Sequence, residues 1–339
     1  MKRINMKDIA KEANVSVATV SYVINKKVDQ KIPKNTVDRV ESAIKKLGYV
    51  PNLAARSLVH NKSNLIGVVI PQTEPGKQFM FSNPFYGELL SSIEYNCRIS
   101  GYHVLISGTD INQSYLEIAN KRSLDGIIIV GIHPSGYYKD LINSQIPVVL
   151  IDSYCAGLPF MSISLKDREG ARMATEYLIK KGHTKIGFAS GEIKEDGVTY
   201  DRYQGYLDSL KDAGIDINQN YIFEGNVSQQ FGRDLGYEIS KLEDKPTAIF
   251  ASADVIAVGL INGLKRNGFS LPDDMSIIGF DDTWLARDCD PKLTTIKQDV
   301  ALKGKMAVDM LLTDEDKLYK NDMILDVELV ERESVKKKD

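Results

Sequence analysis

The sequence is poor in the residues that build metal centres, disulfide frameworks and general-base sites. Its 339 residues include three cysteines, Cys97, Cys155 and Cys289, which stand far apart and in no metal-ligand spacing. Four histidines supply little acid–base chemistry, and His183 lies in a Gly-His turn that favours a structural role. We therefore expect reduced thiols, no metal ion and no cofactor.

Signatures of enzymes and of membrane or exported proteins are missing as well. The chain has no P-loop, no dinucleotide-binding glycine fingerprint, and neither HExxH nor GxSxG. No apolar run approaches the roughly 20 residues of a membrane span. The N-terminus is charged from Lys2 onward, unlike a signal peptide. These absences predict a cytoplasmic protein that is not an enzyme and has no membrane partner.

Charge is divided unevenly along the chain. Residues 1–62 contain thirteen lysines and arginines against five acidic residues, a net charge of +8. Because the whole chain carries −3, the remaining residues carry −11. A basic head on an acidic body favours a polyanion such as DNA at one end of the molecule only.

Residues 6–25 show the periodicity of two short helices joined by a tight turn, as in a helix-turn-helix. Ser16 stands where it accepts backbone N–H bonds as the N-cap of the second helix. Apolar positions recur every three to four residues on one face of each helix: Met6, Ile9, Ala10 and Ala13, then Val17, Val20 and Ile24. The other face of the second helix offers four side chains to a major groove: Ala18, Thr19, Tyr22 and Asn25. The alternative is a helical hairpin inside a larger core.

A third helix over Asn35–Leu47 completes a head domain of residues 1–50. Asn35 is the expected N-cap, and Gly48 ends the helix. The linker 51–63 begins with Pro51, and its segment 53–59 has helix-forming residues with little to bury. We therefore expect a short helix that becomes ordered on binding.

From Leu65 the chain alternates between short apolar runs and amphipathic segments, which is typical of α/β layers with parallel sheets. Ligands of such folds bind at the carboxyl ends of strands, where Asp152, Ser190 and Asp281 follow apolar runs. The predicted strands are Leu65–Ile70, Tyr102–Ser107, Gly126–Val130, Val148–Ile151, Ile186–Ala189, Ala248–Ala251 and Ile277–Phe280. The predicted helices lie near 86–100, 113–122, 168–181, 201–213, 231–242, 254–267 and 299–312. We expect the tail Lys336–Lys338 to be frayed.

These motifs, taken in order, resemble the lactose-repressor/galactose-repressor (LacI/GalR) family of bacterial transcription regulators. The head is similar to the family pattern DIAKxAxVSxxTVSxVIN, and the segment from Tyr49 to Leu58 is similar to the family's hinge. Further matches along the body are Asn83–Tyr86, Gly182-His183, Arg202–Gly205, Leu271–Asp274, Gly279–Asp282 and Leu293–Ile296. The resemblance covers nearly the whole chain.

The resemblance implies a DNA-binding head (1–50), a hinge helix or linker (51–63) and a two-lobed body (64–339) like periplasmic sugar-binding proteins. The chain is expected to cross between the lobes three times. The N-lobe is then expected at about 64–162 and 294–323, and the C-lobe at about 163–293 and 324–339. A homodimer that reads a pseudo-palindromic operator is also implied.

By the same resemblance, Val17, Ala18 and Tyr22 occupy the base-reading positions. Val17 and Ala18 offer apolar contact, for instance to a thymine methyl group, and Tyr22 offers one hydrogen bond. Other polar residues of the second helix are interpreted as groups that position it on phosphates or cap it: Ser16, Thr19, Ser21 and Asn25.

In the hinge, Leu58 matches the family's wedge residue. Paired hinge helices from two subunits enter the minor groove, where the leucines open a base step and kink the duplex. Ala55 and Arg56 lie beside Leu58 and are assigned to the same DNA contact. The alternative is that Leu58 packs on its own body.

In the body, Asp152, Arg202 and Asp281 match positions that hold ligand hydroxyls in sugar-binding relatives. Carboxylate acceptors and a planar guanidinium suit a polyol. The other candidates for the effector site are Phe85, Tyr86, Asp254 and Trp284. The alternatives are helix capping for the aspartates, a structural ion pair for Arg202, and core packing for the aromatic residues.

One departure bears on the effector. Ala253 stands where many sugar-responsive relatives have asparagine, and Val198 and Val227 make other pocket positions apolar. The first prediction is a repressor of a carbohydrate-utilisation operon with a sugar effector. The alternatives are a nucleoside, purine-like or phosphorylated effector, or help from a phosphocarrier protein. A sugar-transport protein would lack the basic head.

Overall fold

A computed structural model describes residues 4–25, 31–49, 62–71, 80–109, 122–131, 146–153, 160–194, 197–313 and 322–338, with single positions at 117, 119 and 142. The chain divides into two compact units, the head (Met1–Ser63) and the body (Asn64–Asp339). Ala55, Arg56 and Leu58 of the predicted hinge, and most of the predicted helix 113–122, lie outside the described residues.

The described part of the head consists of α1 (Met6–Ala13), α2 (Val17–Ile24) and α3 (Lys34–Leu47). The predicted N-cap of α2 is confirmed, since Ser16 Oγ accepts a hydrogen bond of 3.0 Å from the backbone N–H of Thr19. Helix α3 begins at Lys34, before the predicted N-cap Asn35, because Pro33 occupies the N-cap position. The fixed φ of proline starts this helix without a side-chain cap.

A small apolar core joins the three helices of the head. Each helix contributes one fully buried residue, namely Ile9, Val20 and Val40, and Tyr49 packs on the same core. Val17, at the first position of α2, is 42% exposed. The apolar stripe of α2 is therefore shorter than its periodicity predicts.

The described part of the body contains two six-stranded sheets. Its strands are β1 (Leu65–Pro71), β2 (His103–Thr109), β3 (Gly126–Val130), β4 (Val148–Ile151), β5 (Met161–Leu165), β6 (Ile186–Ser190), β7 (Ile222–Glu224), β8 (Ala248–Ala251), β9 (Ser276–Asp281), β10 (Thr294–Gln298), β11 (Met323–Leu325) and β12 (Val327–Val330). The first sheet, with order β11-β5-β4-β3-β1-β2, is parallel throughout, whereas the second, β12-β10-β9-β8-β6-β7, has an antiparallel β12. The predicted class of parallel α/β layers is confirmed.

Helices cover the faces of both sheets: α4 (Pro84–Ile99), α5 (Asp167–Lys180), α6 (Val198–Asp212), α7 (Gln229–Lys241), α8 (Asp254–Arg266), α9 (Trp284–Asp288) and α10 (Val300–Leu312). The pair α4–α10 packs on the first sheet, and the pairs α5–α6 and α7–α8 pack on the second. Helices α7 and α8 approach through glycines, since a methyl group at Gly236 would come within 2.6 Å of the backbone nitrogen of Leu264. Among the described residues, no helix combines the length and apolar character that crossing a membrane requires.

The chain passes three times between the lobe of the first sheet (N-lobe) and that of the second (C-lobe): after β5, after β10 and after β11. The predicted boundaries shift by a few residues, because β10 pairs with β9 and β12 in the second sheet. The N-lobe therefore resumes after Gln298 rather than at Thr294. Two crossings are joined, since the backbone N–H of Lys166 donates to Leu325 O (3.1 Å) and the Lys166 ammonium lies 2.8 Å from Asp326.

The C-terminal residues up to Lys338 are fastened to the C-lobe, so the prediction of a frayed tail is wrong. Ser334 Oγ donates to the backbone oxygen of Ile277 at 2.6 Å. His183 is buried, with Nε2 3.1 Å from Lys336 O and Nδ1 2.9 Å from Thr247 Oγ1. The imidazole therefore anchors the tail, in keeping with the structural role predicted for it.

Candidate operator surface and effector cleft

The solvent-facing side of α2 is the candidate surface for reading DNA bases. Val17 and Ala18 are exposed, and Tyr22 is half-buried four residues after Ala18 on the same side of the helix. The aliphatic side chains suit contact with a thymine methyl group, and the Tyr22 hydroxyl suits a single hydrogen bond. The three predicted base-reading residues thus share one helix, and their base contacts stay a prediction.

The short polar side chains of α2 are tied to the helix itself. The hydroxyl oxygens of Ser16 and Thr19 lie 2.9 Å apart, and Asn25 Nδ2 donates to Ser21 O at 2.8 Å. In the described α2, no acidic side chain lies in the first turn. The positive end of the helix dipole therefore has no acidic partner within that turn, which favours a DNA phosphate there.

In the body, two aspartates lie at the carboxyl ends of parallel strands, where the sequence predicts a ligand site. Asp152 follows β4 in the N-lobe, and Asp281 ends β9 in the C-lobe. Asp281 has a φ of 118°, which side-chain-bearing residues rarely adopt. Such a conformation costs ~1–3 kcal/mol and is typical of ligand-binding sites.

Arg202 is a buried guanidinium that connects α6 to its neighbours. Nε donates to Asp167 Oδ1 at 2.7 Å, and Nη1 donates to Ser252 O at 2.6 Å. Nη1 also lies 3.6 Å from Asp281 Oδ1, and Cζ lies 3.5 Å from the ring centroid of Phe280. Among the described residues the structure records no hydrogen bond for Nη2. The guanidinium is held rigidly by its other contacts, so Nη2 is suited to donate a hydrogen bond to an acceptor atom of a ligand.

Asp281 is held as an acceptor between two donors. Its Oδ1 accepts a 2.6 Å hydrogen bond from Gln298 Nε2 and faces Arg202. Burial raises the pKa of Asp281 to about 6, although Arg202 and Gln298 pull it down. The carboxyl therefore takes up a proton at a higher pH than a free aspartate does.

Lys303, on α10, is wholly buried and faces Asp152. Its ammonium donates to both oxygens of Asp152 at 2.8 Å each and to Gln298 Oε1 at 2.7 Å. Burial raises the pKa of Asp152, and Lys303 opposes that rise. Gln298 joins the two ion pairs through its carbonyl and its amide nitrogen. The result is a continuous set of polar contacts from the N-lobe to the C-lobe, which we call the interlobe polar chain. Its members, in order of contact, are Asp152, Lys303, Gln298, Asp281, Arg202 and Asp167.

Asp254 lies beneath the site rather than on it. It is fully buried, and its two oxygens accept hydrogen bonds from Thr295 Oγ1 (2.6 Å) and the backbone N–H of Thr283 (2.8 Å). Burial, and then the negative charge of Asp281, raise its pKa well above the ordinary range. Ala253, not Asp254, occupies the N-cap position of α8. The predicted effector contact and helix cap are thus replaced by a role in holding the loop after β9.

Phe85 and Tyr86 begin α4 and pack edge to face, with ring centroids 5.4 Å apart. Both are half-buried against the N-lobe core. The Phe85 ring centroid lies 5.5 Å from Lys303 Nζ, next to the Asp152 end of the interlobe polar chain. The structure therefore brings Phe85 to the predicted effector site.

Trp284 lies elsewhere, in an outer groove of about 1200 Å³ lined by residues of α4, α9 and α10. Its side chain is 49% exposed, and its backbone N–H donates to Glu88 Oε1 of the N-lobe at 3.2 Å. The lining of this groove shares no residue with the interlobe polar chain. Trp284 is therefore placed apart from Arg202 and Asp281.

Sequence reasoning missed three members of the interlobe polar chain. Lys303 left a signal, since it lies on the apolar stripe of α10, three residues after Val300 and four before Ala307. A charged side chain in such a stripe needs a buried partner. Asp167 and Gln298 stand at the ends of α5 and β10, where polar residues are ordinary.

Fold and site define a class of protein: a helical DNA-binding head combined with a two-lobed ligand-binding body. Comparison with protein families agrees. Residues 5–52 match the bacterial regulatory proteins of the lacI family, and residues 175–335 match the periplasmic binding protein-like domain.

Relatives that match over nearly the whole length of the chain show the family to which it belongs. The HTH-type transcriptional repressor PurR of Mannheimia succiniciproducens is 33% identical over 340 residues, 98% of each chain, and PurR of Haemophilus influenzae is 34% identical over 342 residues, again 98% of each. The crystal structure of the lac repressor dimer bound to operator and the anti-inducer ONPF matches with a TM-score of 0.83 and 26% identity, covering 98% of this chain and 99% of that one. The chain belongs to the LacI family. It is a DNA-binding transcriptional repressor and not an enzyme.

Proposed function

We propose that this repressor is a cytoplasmic homodimer that binds a pseudo-palindromic operator and changes its operator affinity when a small neutral molecule binds between the lobes. The observation that carries the proposal is the interlobe polar chain, which brings buried charges of both lobes together at strand ends. A ligand that touches both lobes binds their arrangements with different affinity, and such a difference is what allosteric coupling requires.

The charges at the cleft favour a neutral effector. The interlobe polar chain contains three carboxylates, Asp152, Asp167 and Asp281, and two cations, Arg202 and Lys303. Both cations already face carboxylates, so neither is left to neutralise a phosphate group. A sugar and a purine-like molecule both satisfy this condition, whereas a phosphorylated effector does not.

The head supports DNA as the other ligand. Its basic charge attracts phosphate, and α2 exposes Val17 and Ala18 where a major groove would meet them. Basic residues outside α2 supply the sequence-independent part of the affinity, and the face of α2 supplies the choice of bases.

The outer groove supports a dimer. It carries several exposed apolar side chains, including Tyr95 (54% exposed) and Ile99 (62%) of α4. A contiguous apolar surface of this kind favours burial against another protein, and a second copy satisfies the two-fold symmetry of a palindromic site. The lac repressor structure that matches this chain is a dimer.

The test is selection of operator sequences from randomised DNA with the full chain, followed by affinity measurements with and without candidate effectors. We expect a selected site with two-fold symmetry, a dimer in sedimentation, and an effector-dependent change of about 5- to 150-fold in operator affinity.

A matched pair of variants shows which surface binds. Ala18→Glu places a negative charge on α2 and should abolish operator binding, whereas Gln230→Glu adds the same charge at an exposed position of α7 and should not. Selection of a site without symmetry, or equal effects of the two variants, would contradict the proposal.

A further inference from the structure

We propose that Lys303 is a positioning residue for operator binding. Its ammonium ties the N-lobe to the C-lobe through Gln298 and so fixes the lobe arrangement that sets the basal operator affinity. This inference rests on the proposed function and adds a control that the chain's own side chains supply. Lys303 acts on the head only through the arrangement of the lobes, because it lies wholly within the body.

Lys303 interrupts the apolar stripe of α10. Val300 and Ala307 of the same stripe are buried, and the Lys303 side chain is 0% exposed. A buried ammonium is costly unless acceptors surround it. Three acceptor oxygens lie within 2.8 Å of Nζ, one for each proton: both oxygens of Asp152 and Oε1 of Gln298. The position of the ammonium is therefore fixed by its polar partners.

The two partners of Lys303 belong to different lobes. Asp152 follows β4 of the N-lobe sheet, and α10, which carries Lys303, packs on that sheet. Gln298 pairs with Val327 in the C-lobe sheet, and its Nε2 donates to Asp281 Oδ1 at 2.6 Å. The backbone and the amide nitrogen of Gln298 are therefore held by the C-lobe, while its amide oxygen is held by the N-lobe.

The chain between these two anchors is short. A single residue, Asp299, separates the end of β10 from the start of α10 at Val300. Asp299 Oδ1 accepts the backbone N–H of Leu302 at 2.8 Å and so caps α10 at the crossing. Because so little chain lies between the lobes here, a movement of one lobe against the other displaces Lys303 relative to Gln298.

Loss of the contact between Lys303 and Gln298 is unfavourable because the ammonium is buried. A hydrogen bond to a charged group typically shifts an equilibrium about tenfold or more. A wholly buried ammonium cannot regain the lost bond from bulk solvent. Lys303 therefore stabilises one lobe arrangement over those in which the contact is broken. When two arrangements bind DNA differently, a change in their relative population changes operator affinity.

Variants that break the contact without leaving a buried charge unpaired test the proposal. The double variant Lys303→Met with Asp152→Asn replaces the ion pair by uncharged groups of similar volume, a change that is often neutral for stability. Gln298→Met keeps the ion pair and removes its link to the C-lobe. Arg168→Met with Asp208→Asn is the matched control, since it removes a two-bond ion pair that lies within the C-lobe.

The experiment measures the affinity of the full chain for its selected operator by fluorescence anisotropy, with acrylamide quenching of Trp284 as a second readout. Trp284 is the single tryptophan, and its backbone N–H donates to Glu88 of the N-lobe, so its quenching is sensitive to this contact between the lobes. We expect the double variant and Gln298→Met each to change operator affinity by at least about fivefold and to alter the quenching. The control should match the parent in both readouts. All three substitutions together should change the affinity no further, because they break the same link.

Parental operator affinity in a folded double variant or in Gln298→Met would overturn the proposal, and Gln298→Met decides alone if the double variant does not fold. Equal changes in the control would overturn it, as would effects that add in the combined variant, since neither result needs a link between Lys303 and Gln298. A parent that selects no symmetric operator contradicts the proposed function, and this proposal with it. A parent that selects one, while both variants match it, refutes only the role of Lys303.

Discussion

The head and the body place their polar groups in opposite ways. In the head, Ser16 and Thr19 contact each other within one helix, and the basic side chains are spread over residues 1–62. In the body, Lys303 reaches Asp152 across 151 positions of sequence, and both are buried. A surface on one helix can be recognised from local sequence, whereas a cleft assembled from distant residues cannot.

Because the charges of the head are exposed and those of the body are buried, the two units should respond to different solution conditions. Exposed charges that meet a polyanion are sensitive to salt, because counterions are released on binding. Buried charges are screened much less and respond to protons instead. Salt should therefore act mainly on operator binding, and pH mainly on the body.

The largest expected effect is that of salt. If the head neutralises about six phosphates, operator affinity should fall about a thousandfold between 50 and 200 mM salt. Effector affinity should change little over the same range, because the interlobe polar chain is buried. Fluorescence anisotropy with operator DNA measures the first affinity at each salt concentration, and calorimetry with effector measures the second. Equal salt slopes would remove the contrast between head and body.

Removal of Arg202 should produce the next largest effect. Arg202→Ala leaves Asp167 and Asp281 buried without their cation, so the free energy of unfolding of the body should fall by ~3–5 kcal/mol. Trp284 is the single tryptophan, so its fluorescence during urea unfolding reports on the body. Arg172→Ala, in an exposed ion-pair network, is the control, with an expected loss of ~0–1 kcal/mol. Similar losses in both variants would contradict the larger contribution of the buried Arg202 to the stability of the body.

Tyr22 should set base preference in the head. Tyr22→Arg is expected to change the selected operator at one position in each half-site, with ~1–3 kcal/mol of discrimination for a bidentate contact. Tyr22→Phe keeps the ring and removes the hydroxyl, so it isolates the hydrogen bond. If the selected operator motif stays the same in both variants, Tyr22 does not read a base and serves only to position α2 on the DNA.

The smallest expected effect is a pH dependence of body stability. The pKa of Asp281 is about 6 in the folded protein, above its unfolded value of about 3.9. Between those values the folded state binds more protons, so the Asp281 contribution to the free energy of unfolding decreases as pH rises from about 4 to 6. Asp281→Asn should lose this part of the slope. Urea midpoints from Trp284 fluorescence at pH 5 and pH 7 measure it, and identical slopes in parent and variant would contradict it.

The interior strands were predictable because they are uninterrupted apolar runs. The bounds of β3, β4 and β8 are those the sequence predicts, and these strands are buried throughout. Strand β10 was not predicted, because its threonines are buried through hydrogen bonds and a lysine interrupts the pattern. The three-residue strands β7 and β11 are too short to show a period.

At the cleft, residue types were predictable and partnerships were not. Asp152, Arg202 and Asp281 do stand at the predicted ends and faces of the body's elements. The resemblance made Asp254 a candidate for the effector site, and the sequence does not show that its side chain is buried. Its contacts with Thr283 and Thr295, on two other segments, exist only in the folded chain.

The three crossings between the lobes have a mechanical consequence. Two rigid parts joined by one flexible segment can rotate about any axis, and each further connection removes freedom. Here Lys166 binds Leu325 and Asp326, so two crossings move as one, and the third begins at Gln298. We therefore expect the lobes to rotate most easily about the line through the joined pair and the third crossing. On this expectation, different ligands that close the cleft move the lobes in the same sense and differ only in how far they move them.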